Sequence, residues 1–235
     1  MALLHNQINR LWFNPSIDKF KNSSFVRHIF TSQESDDFIR TGAYLIKEAQ
    51  RLSNIHTPWD ERKRQEILKN PRLENAFTSL GCEYLFKGIF LAKGYAINKI
   101  KQPVPNGLVH PLKLSQNKSK LDPTEVVMLG YIKDHLPSLI DFTDFDNKQS
   151  TDEIAAKKKE KGQKLDGITR MTTPYPNSKQ LLDYLLVKRN YSLHRPFIIP
   201  EFKGITNHVF NFLEYIAQKG TGKTIDELAV LTDEL

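Results

Sequence analysis

Pro71-Arg-Leu-Glu-Asn-Ala-Phe-Thr-Ser-Leu80-Gly-Cys-Glu-Tyr-Leu-Phe-Lys-Gly-Ile-Phe90-Leu-Ala-Lys-Gly94 is the stretch that decides the fold. Asn70 is a favoured N-cap, and Pro71 suits a first helical position because its missing N–H has no partner to lose there. Leu73, Phe77, Leu80, Tyr84 and Leu91 recur at steps of three, four or seven, which is one face of a helix. Gly94 is placed to end it in the left-handed conformation. The pattern predicts a long core helix from 71 to about 93.

Working outward, the same period recurs. Phe38, Leu45 and Leu52, with Gly42 and Ala49, predict a helix from about Asp36 to Ser53. Thr57-Pro58-Trp59-Asp60 and Asp122-Pro123-Thr124-Glu125 repeat the start chemistry, so helices are expected near 58 and 123. Leu181, Leu182, Leu185, Leu186 and Leu193 mark another helix. Ile205, Val209, Phe212, Leu213 and Ile216 mark the next, ending near Gly220, and Thr224-Ile225-Asp226-Glu227 fits a capping box opening a short terminal helix. No run alternates as a strand should; Ile198-Ile199 is too short and Pro200 closes it. The expected class is all-α.

Two segments read as connections. Lys101 to Asn117 carries Pro103, Pro105, Gly107 and Pro111 and is expected to be extended. Asp141 to Pro176 is polar and changes sign, from Asp141, Asp144 and Asp146 to Lys157-Lys158-Lys159-Glu160-Lys161, which predicts a solvated insertion with one exposed helix. The organisation is then an N-terminal helical extension over 1–70, a bundle over 71–220 with its charged insertion at about 141–176, and a short C-terminal helix within 221–235.

Composition narrows the function classes. Lys and Arg outnumber Asp and Glu by 34 to 27, a formal net charge of +7, which favours a polyanionic partner, nucleic acid first. One cysteine, Cys82, excludes a disulfide framework and a Cys-based metal site. His110, His135 and His208 have no partner at metal-ligand spacing, so neither metal nor cofactor is expected. The opening residues show no basic segment leading into an apolar one, and no segment has the apolar length of a membrane span, so neither secretion nor membrane insertion is expected and a reducing cytoplasm is the expected location. Gly220-Thr221-Gly222-Lys223-Thr224 resembles the end of a phosphate loop, but Ala217 stands where its leading glycine is needed.

The residues best suited to chemistry are in Lys188-Arg189-Asn190-Tyr191-Ser192-Leu193-His194-Arg195-Pro196. Arg189 carries a permanent guanidinium whose fork matches a phosphate, and His194 can exchange a proton near neutral pH, the two needs of metal-free RNA cleavage. Five residues place two positions roughly 140° apart around a regular helix. Pro196 pushes the residue before it out of the α region, so the helix is expected to end near His194 and free it to turn. Arg51 and His56 repeat the spacing but lack the following asparagine. Lys188 and Arg195 flank the pair and could track an RNA backbone or be plain solvated charges. Glu83 and Lys87 form an i, i+4 pair in the favourable order.

Arg189-Asn190-x-x-x-His194 resembles the Arg-x4-6-His signature of the HEPN superfamily, in its Arg-Asn form. Leu80 to Leu91 resembles the early core helix of those domains, and the insertion, motif helix and closing helix follow in the family's order, over about Pro71 to Lys219. The resemblance implies a HEPN-like antiparallel bundle acting as a metal-independent endoribonuclease, in a toxin or antiviral defence setting, with a separately encoded antitoxin or activator. It also implies a homodimer in which two motifs meet. One Arg and one His cannot deprotonate the ribose 2′-OH, protonate the departing 5′-oxygen and hold the phosphate together, whereas two copies can. On this reading Arg189, His194 and Asn190 are catalytic, Lys188 and Arg195 bind RNA, and Glu83 with Lys87 supports the motif. The alternative is a non-catalytic HEPN-like module for RNA or nucleotide binding or for dimerisation. In the branch regulated by tyrosine modification a tyrosine follows the His by two; Pro196 stands here, so that regulation is not expected.

Overall fold

The computed structural model describes residues 28–54, 71–104, 108–162, 175–194 and 205–230. The elements are α1 (Ser35–Asn54), α2 (Pro71–Ala92), β1 (Asn98–Ile100), α3 (Leu114–Asn117), β2 (Leu121–Val126), α4 (Leu129–His135), α5 (Thr143–Gly162), α6 (Ser178–His194), α7 (Ile205–Thr221) and α8 (Ile225–Leu228). The chain is mostly helical, and one small two-stranded sheet interrupts the helices among the described residues.

Helix α2 runs through the middle. It ends as expected: Gly94 has φ 77°, and Tyr95 N–H donates to Phe90 C=O at 2.8 Å, closing a Schellman-type turn. Its core face differs from the expected one. Cys82, Leu85, Phe86, Ile89 and Phe90 are fully buried, whereas Leu73 and Tyr84 are 44% and 38% exposed. Both faces are apolar, and glycines decide between them. A Cβ on Gly42 of α1 would sit 2.5 Å from the Leu85 nitrogen, and one on Gly88 would sit 2.6 Å from Ile39 Cγ1. These glycines let α1 lie backbone to backbone along α2, burying Ile39, Ala43, Ile46 and Ala49 in the seam.

One apolar core joins α1, α2, α4, α6, α7 and α8, with Phe86, Phe90, Phe212 and Ile46 among its largest buried side chains. Boundaries at 70 and 221 therefore cut through the packing. Ile39 and Ile46 on one side, and Ile225 and Leu228 on the other, belong to the core of the bundle. The insertion is corrected at its start. Phe142 and Phe145 pack on Phe212 with ring centroids 5.4 and 5.0 Å apart, so α5 is anchored in the core before its charged run begins. At the C-terminal end Thr224 and Glu227 form the expected capping box of α8; α6 is helical through His194, and the expected helix end before Pro196 lies outside the described residues.

The sheet corrects the strand-free reading. β1 and β2 pair antiparallel, Asn98 with Val126 and Ile100 with Leu121; β1 lies just before the expected extended connection and β2 falls where a helix start is expected. Asp122 Oδ1 accepts from the Thr124 N–H at 2.7 Å, the bond an N-cap would make, but the chain continues extended. Asn98, fully buried, explains the choice. Its Nδ2 donates to His28 C=O at 2.9 Å and Asp122 C=O at 3.0 Å, while its Oδ1 accepts from Phe30 N–H at 3.0 Å. One side chain thus ties the 28–30 segment to the hairpin and sets Phe30 beside α2. The expected helix near 58, His56 and Ile198-Ile199 lie outside the described residues.

Candidate functional site

Helices α2 and α6 pack so that their polar faces meet. Arg189 Nε donates to Glu83 Oε2 at 3.3 Å, and Lys87 Nζ donates to Glu83 Oε1 at 2.7 Å. Glu83 is thus shared by two cations, with all three side chains less than one-fifth exposed. The preceding residue of α6, Lys188, meets the earlier acid of α2: its Nζ donates to Glu74 Oε1 at 3.0 Å. Asn190 is exposed, and its Oδ1 lies 3.5 Å from Arg189 Nη1, the long limit of a hydrogen bond. Two acids of α2 therefore face two cations of α6, and the three-member cluster at Glu83 carries one formal positive charge in excess.

The placement sorts the expected residues. Arg189, Asn190, Glu83 and Lys87 come together. Lys188 does not track a surface: it is 3% exposed and ion-paired to Glu74, so its expected backbone-binding role is corrected to a structural one. A long stem buried against Tyr184, whose ring centroid is 5.9 Å from Nζ, lets the charge reach an inward carboxylate. His194 is the last residue of α6, and Arg195 lies outside the described residues. Arg51 pairs with Glu48 on the open face of α1, remote in role from this cluster.

A cleft of about 260 Å³ opens directly on the cluster. Phe30, Phe38, Tyr84 and Val126 form its wall, and Glu83, Lys87 and Arg189 its charged floor. Phe30 and Phe38 meet edge to face at 5.2 Å, and Phe38 and Tyr84 are tilted at 5.5 Å. Sequence reading missed this wall, although the Leu73, Leu80, Tyr84 stripe was its signal. A wider cleft of about 480 Å³ lies elsewhere, between Lys133, Asp141, Asp146 and Asp183. Three of its carboxylates are occupied by their own neighbours: Asp183 by Lys133, Asp141 by Thr143 and Asp146 by Ser178.

Other candidate nucleophiles and bases are set aside by their surroundings. Burial pushes the Cys82 thiol well above its ordinary range, and its Sγ donates to Ser79 C=O at 3.1 Å. Burial, with Glu74 nearby, pushes the Tyr184 hydroxyl up to about 12, so it is a neutral phenol at neutral pH. His110 and Tyr131 pack edge to face at 5.0 Å, and neither the His110 ring nitrogens nor the Tyr131 hydroxyl has a hydrogen-bond partner among the described residues. No group of three or more His, Cys, Asp or Glu side chains converges among the described residues, and none of their helices is long and apolar enough to cross a membrane. Comparison with family models, with curated proteins and with solved structures returns no match for this chain.

Proposed function

We propose that the chain is a HEPN-like, metal-independent endoribonuclease whose centre is completed by a second copy of itself. The observation that supports the reading is the mounting of Arg189. Its Nε–H is held by Glu83 of α2, so the guanidinium is oriented from its shaft side and its Nη groups remain for a phosphate. Among the described residues those groups meet only the Asn190 amide oxygen, at 3.5 Å. The same helix carries His194 five residues further on, about 1.4 turns away.

Because α6 is helical through His194, the two positions lie on different sides of one helix. Two copies related by a two-fold axis bring an arginine of each and a histidine of each to one cleft. His194 of one copy then takes the proton of a ribose 2′-OH. The 2′-oxygen attacks phosphorus, Arg189 stabilises the charge that builds on the phosphoryl oxygens, and the bond to the 5′-oxygen breaks. His194 of the second copy gives that oxygen its proton, leaving a 2′,3′-cyclic phosphate and a 5′-hydroxyl. A toxin or antiviral role, with a separately encoded antitoxin or activator, belongs to the same proposal.

The ion pair itself favours a second reading. An arginine committed to Glu83 also serves a non-catalytic HEPN-like module that binds RNA or a nucleotide, or dimerises, without cutting. Incubation of the protein with mixed-sequence RNA in excess EDTA, followed by end-group analysis, separates the two. Cyclic phosphate ends produced by the parent and not by His194→Ala, with a dimer by sedimentation, support the nuclease. Intact RNA that the protein retains supports the binding module.

A further inference from the structure

The cleft over the Glu83 cluster is more than a phosphate would need. A phosphate is satisfied by cations, yet here an aromatic wall stands over them. Tyr84 is 38% exposed and Val126 37%, so these side chains front the opening instead of filling the core. The wall is also fixed in place. Phe30 is held by its backbone bond to buried Asn98, Val126 by the pairing of β2 with Asn98, and Phe38 and Tyr84 by opposing turns of α1 and α2.

An apolar, π-faced wall above a polar floor matches a flat ring with a hydrogen-bonding edge. A lipid chain or an aliphatic side chain would leave the floor charges covered and unanswered. A nucleobase answers both: its face lies on aromatic rings, and its edge carries N–H donors for a carboxylate and carbonyl or ring-nitrogen acceptors for cations. Each Glu83 oxygen has a second acceptor site beyond the Lys87 and Arg189 bonds it already holds. A cleft of about 260 Å³ takes a single base, and one that has left its stack.

We propose that this cleft binds one unstacked base of the RNA, face on Tyr84 and Phe38 and edge on Glu83, Lys87 and Arg189, so that the chain engages single-stranded RNA and rejects duplex. The inference rests on RNA being the ligand, as proposed above, and adds which form of it is bound and by what. Paired bases in an A-form helix present no free face, and the cost of extruding one falls against the duplex. Stacking also puts the neighbouring phosphate beside Arg189.

The test uses a labelled oligoribonucleotide with 2′-O-methyl sugars, which cannot undergo 2′-OH attack, so binding is read apart from cleavage. Anisotropy titrations compare the single strand with the same strand in duplex, for the parent, Tyr84→Leu and Tyr84→Phe. The parent is expected to bind the single strand at least about tenfold tighter than the duplex, a factor within the ~5- to 150-fold that one lost base stack produces. Tyr84→Leu should lose a factor in that range, Tyr84→Phe should retain parental affinity, and the salt dependence, which counts phosphate contacts, should stay unchanged. Equal affinity for duplex, or parental affinity in a folded Tyr84→Leu, overturns the proposal; Phe38→Leu supplies the second wall variant should Tyr84→Leu not fold. If natural RNA stays uncut while the ring-dependent preference is present, the nuclease reading fails and this one stands. Cleavage with parental binding by Tyr84→Leu gives the reverse.

Discussion

Replacing Glu83 by glutamine keeps the shape of the side chain and removes the charge that two cations share. Lys87 Nζ lies 2.7 Å from one oxygen and Arg189 Nε 3.3 Å from the other, with Lys87 only 8% exposed. Removing one partner of a buried pair costs about 3–5 kcal/mol, mostly as the penalty of a charge left inside without compensation. Here the glutamine carbonyl still accepts one hydrogen bond and the site borders a cleft, so a loss of about 2–3 kcal/mol is expected. For a chain of this size each kcal/mol moves the midpoint by about 2–4 °C, which gives roughly 5–10 °C in a thermal melt. Urea denaturation followed by circular dichroism measures the loss directly. Adding Lys87→Met to Glu83→Gln should recover about half of it, because one of the two stranded cations is gone and the carbonyl can serve the other. A loss below about 0.5 kcal/mol, the range of ordinary surface changes, or a Lys87→Met substitution as costly on top of Glu83→Gln as in the parent, would refute the shared-carboxylate account.

Three further outcomes follow from the packing. Gly42→Ala should cost about 3 kcal/mol or more, since its Cβ would meet backbone of α2 at 2.5 and 2.8 Å and force α1 outward, and urea unfolding will show it. Lys188→Ala should lower the melting temperature by several degrees, through the stranded Glu74, while the salt slope of RNA binding stays at the parental value; a fall in that slope by about one would return Lys188 to the backbone-binding role. Burial holds His110 below its ordinary range, with His135 adding to the effect, and burial lowers His208 although Asp152 opposes it. The unfolded chain therefore binds more protons than the folded one once pH falls below about 6.5, so stability is full above that pH and declines below it. Melts between pH 7.5 and 5.5 should show the decline, and His110→Phe should make it shallower.

Where local chemistry and tertiary packing agreed, the fold was legible. Gly94 ends α2 as expected because cap preferences depend on a few neighbouring residues, and the Thr224-Glu227 box is local in the same sense. Asp122-Pro123-Thr124 misled for a physical reason: the Asp122 side-chain bond to the Thr124 N–H is the same at a helix start and in an extended turn. Burial of Asn98 and strand pairing with residues two dozen positions away settled which followed. Charge averaged over Asp141 to Pro176 hid Phe142 and Phe145, two rings that anchor the segment. On α2 the period was plain but the face was not, because Gly42, Gly81 and Gly88 chose the side on which a neighbouring helix could approach. At the site, the Glu83–Lys87 pair followed from i, i+4 spacing, whereas sharing Glu83 with Arg189 required knowing how α2 and α6 meet. Lys188 read as a solvated charge because nothing in its sequence neighbourhood announces Glu74.

The most direct test of the central claim is the single-turnover cleavage rate of one RNA in excess EDTA, for the parent, His194→Ala, Arg189→Ala and Arg189→Lys, each verified as folded. The account predicts parental cleavage to 2′,3′-cyclic phosphate ends, with His194→Ala and Arg189→Ala slower by at least about 10²-fold, the scale of losing a general acid–base or a charge-stabilising donor. Arg189→Lys should remain impaired, because a point charge cannot reproduce a fork held by Glu83. Cleavage at the parental rate by either alanine variant would contradict the account.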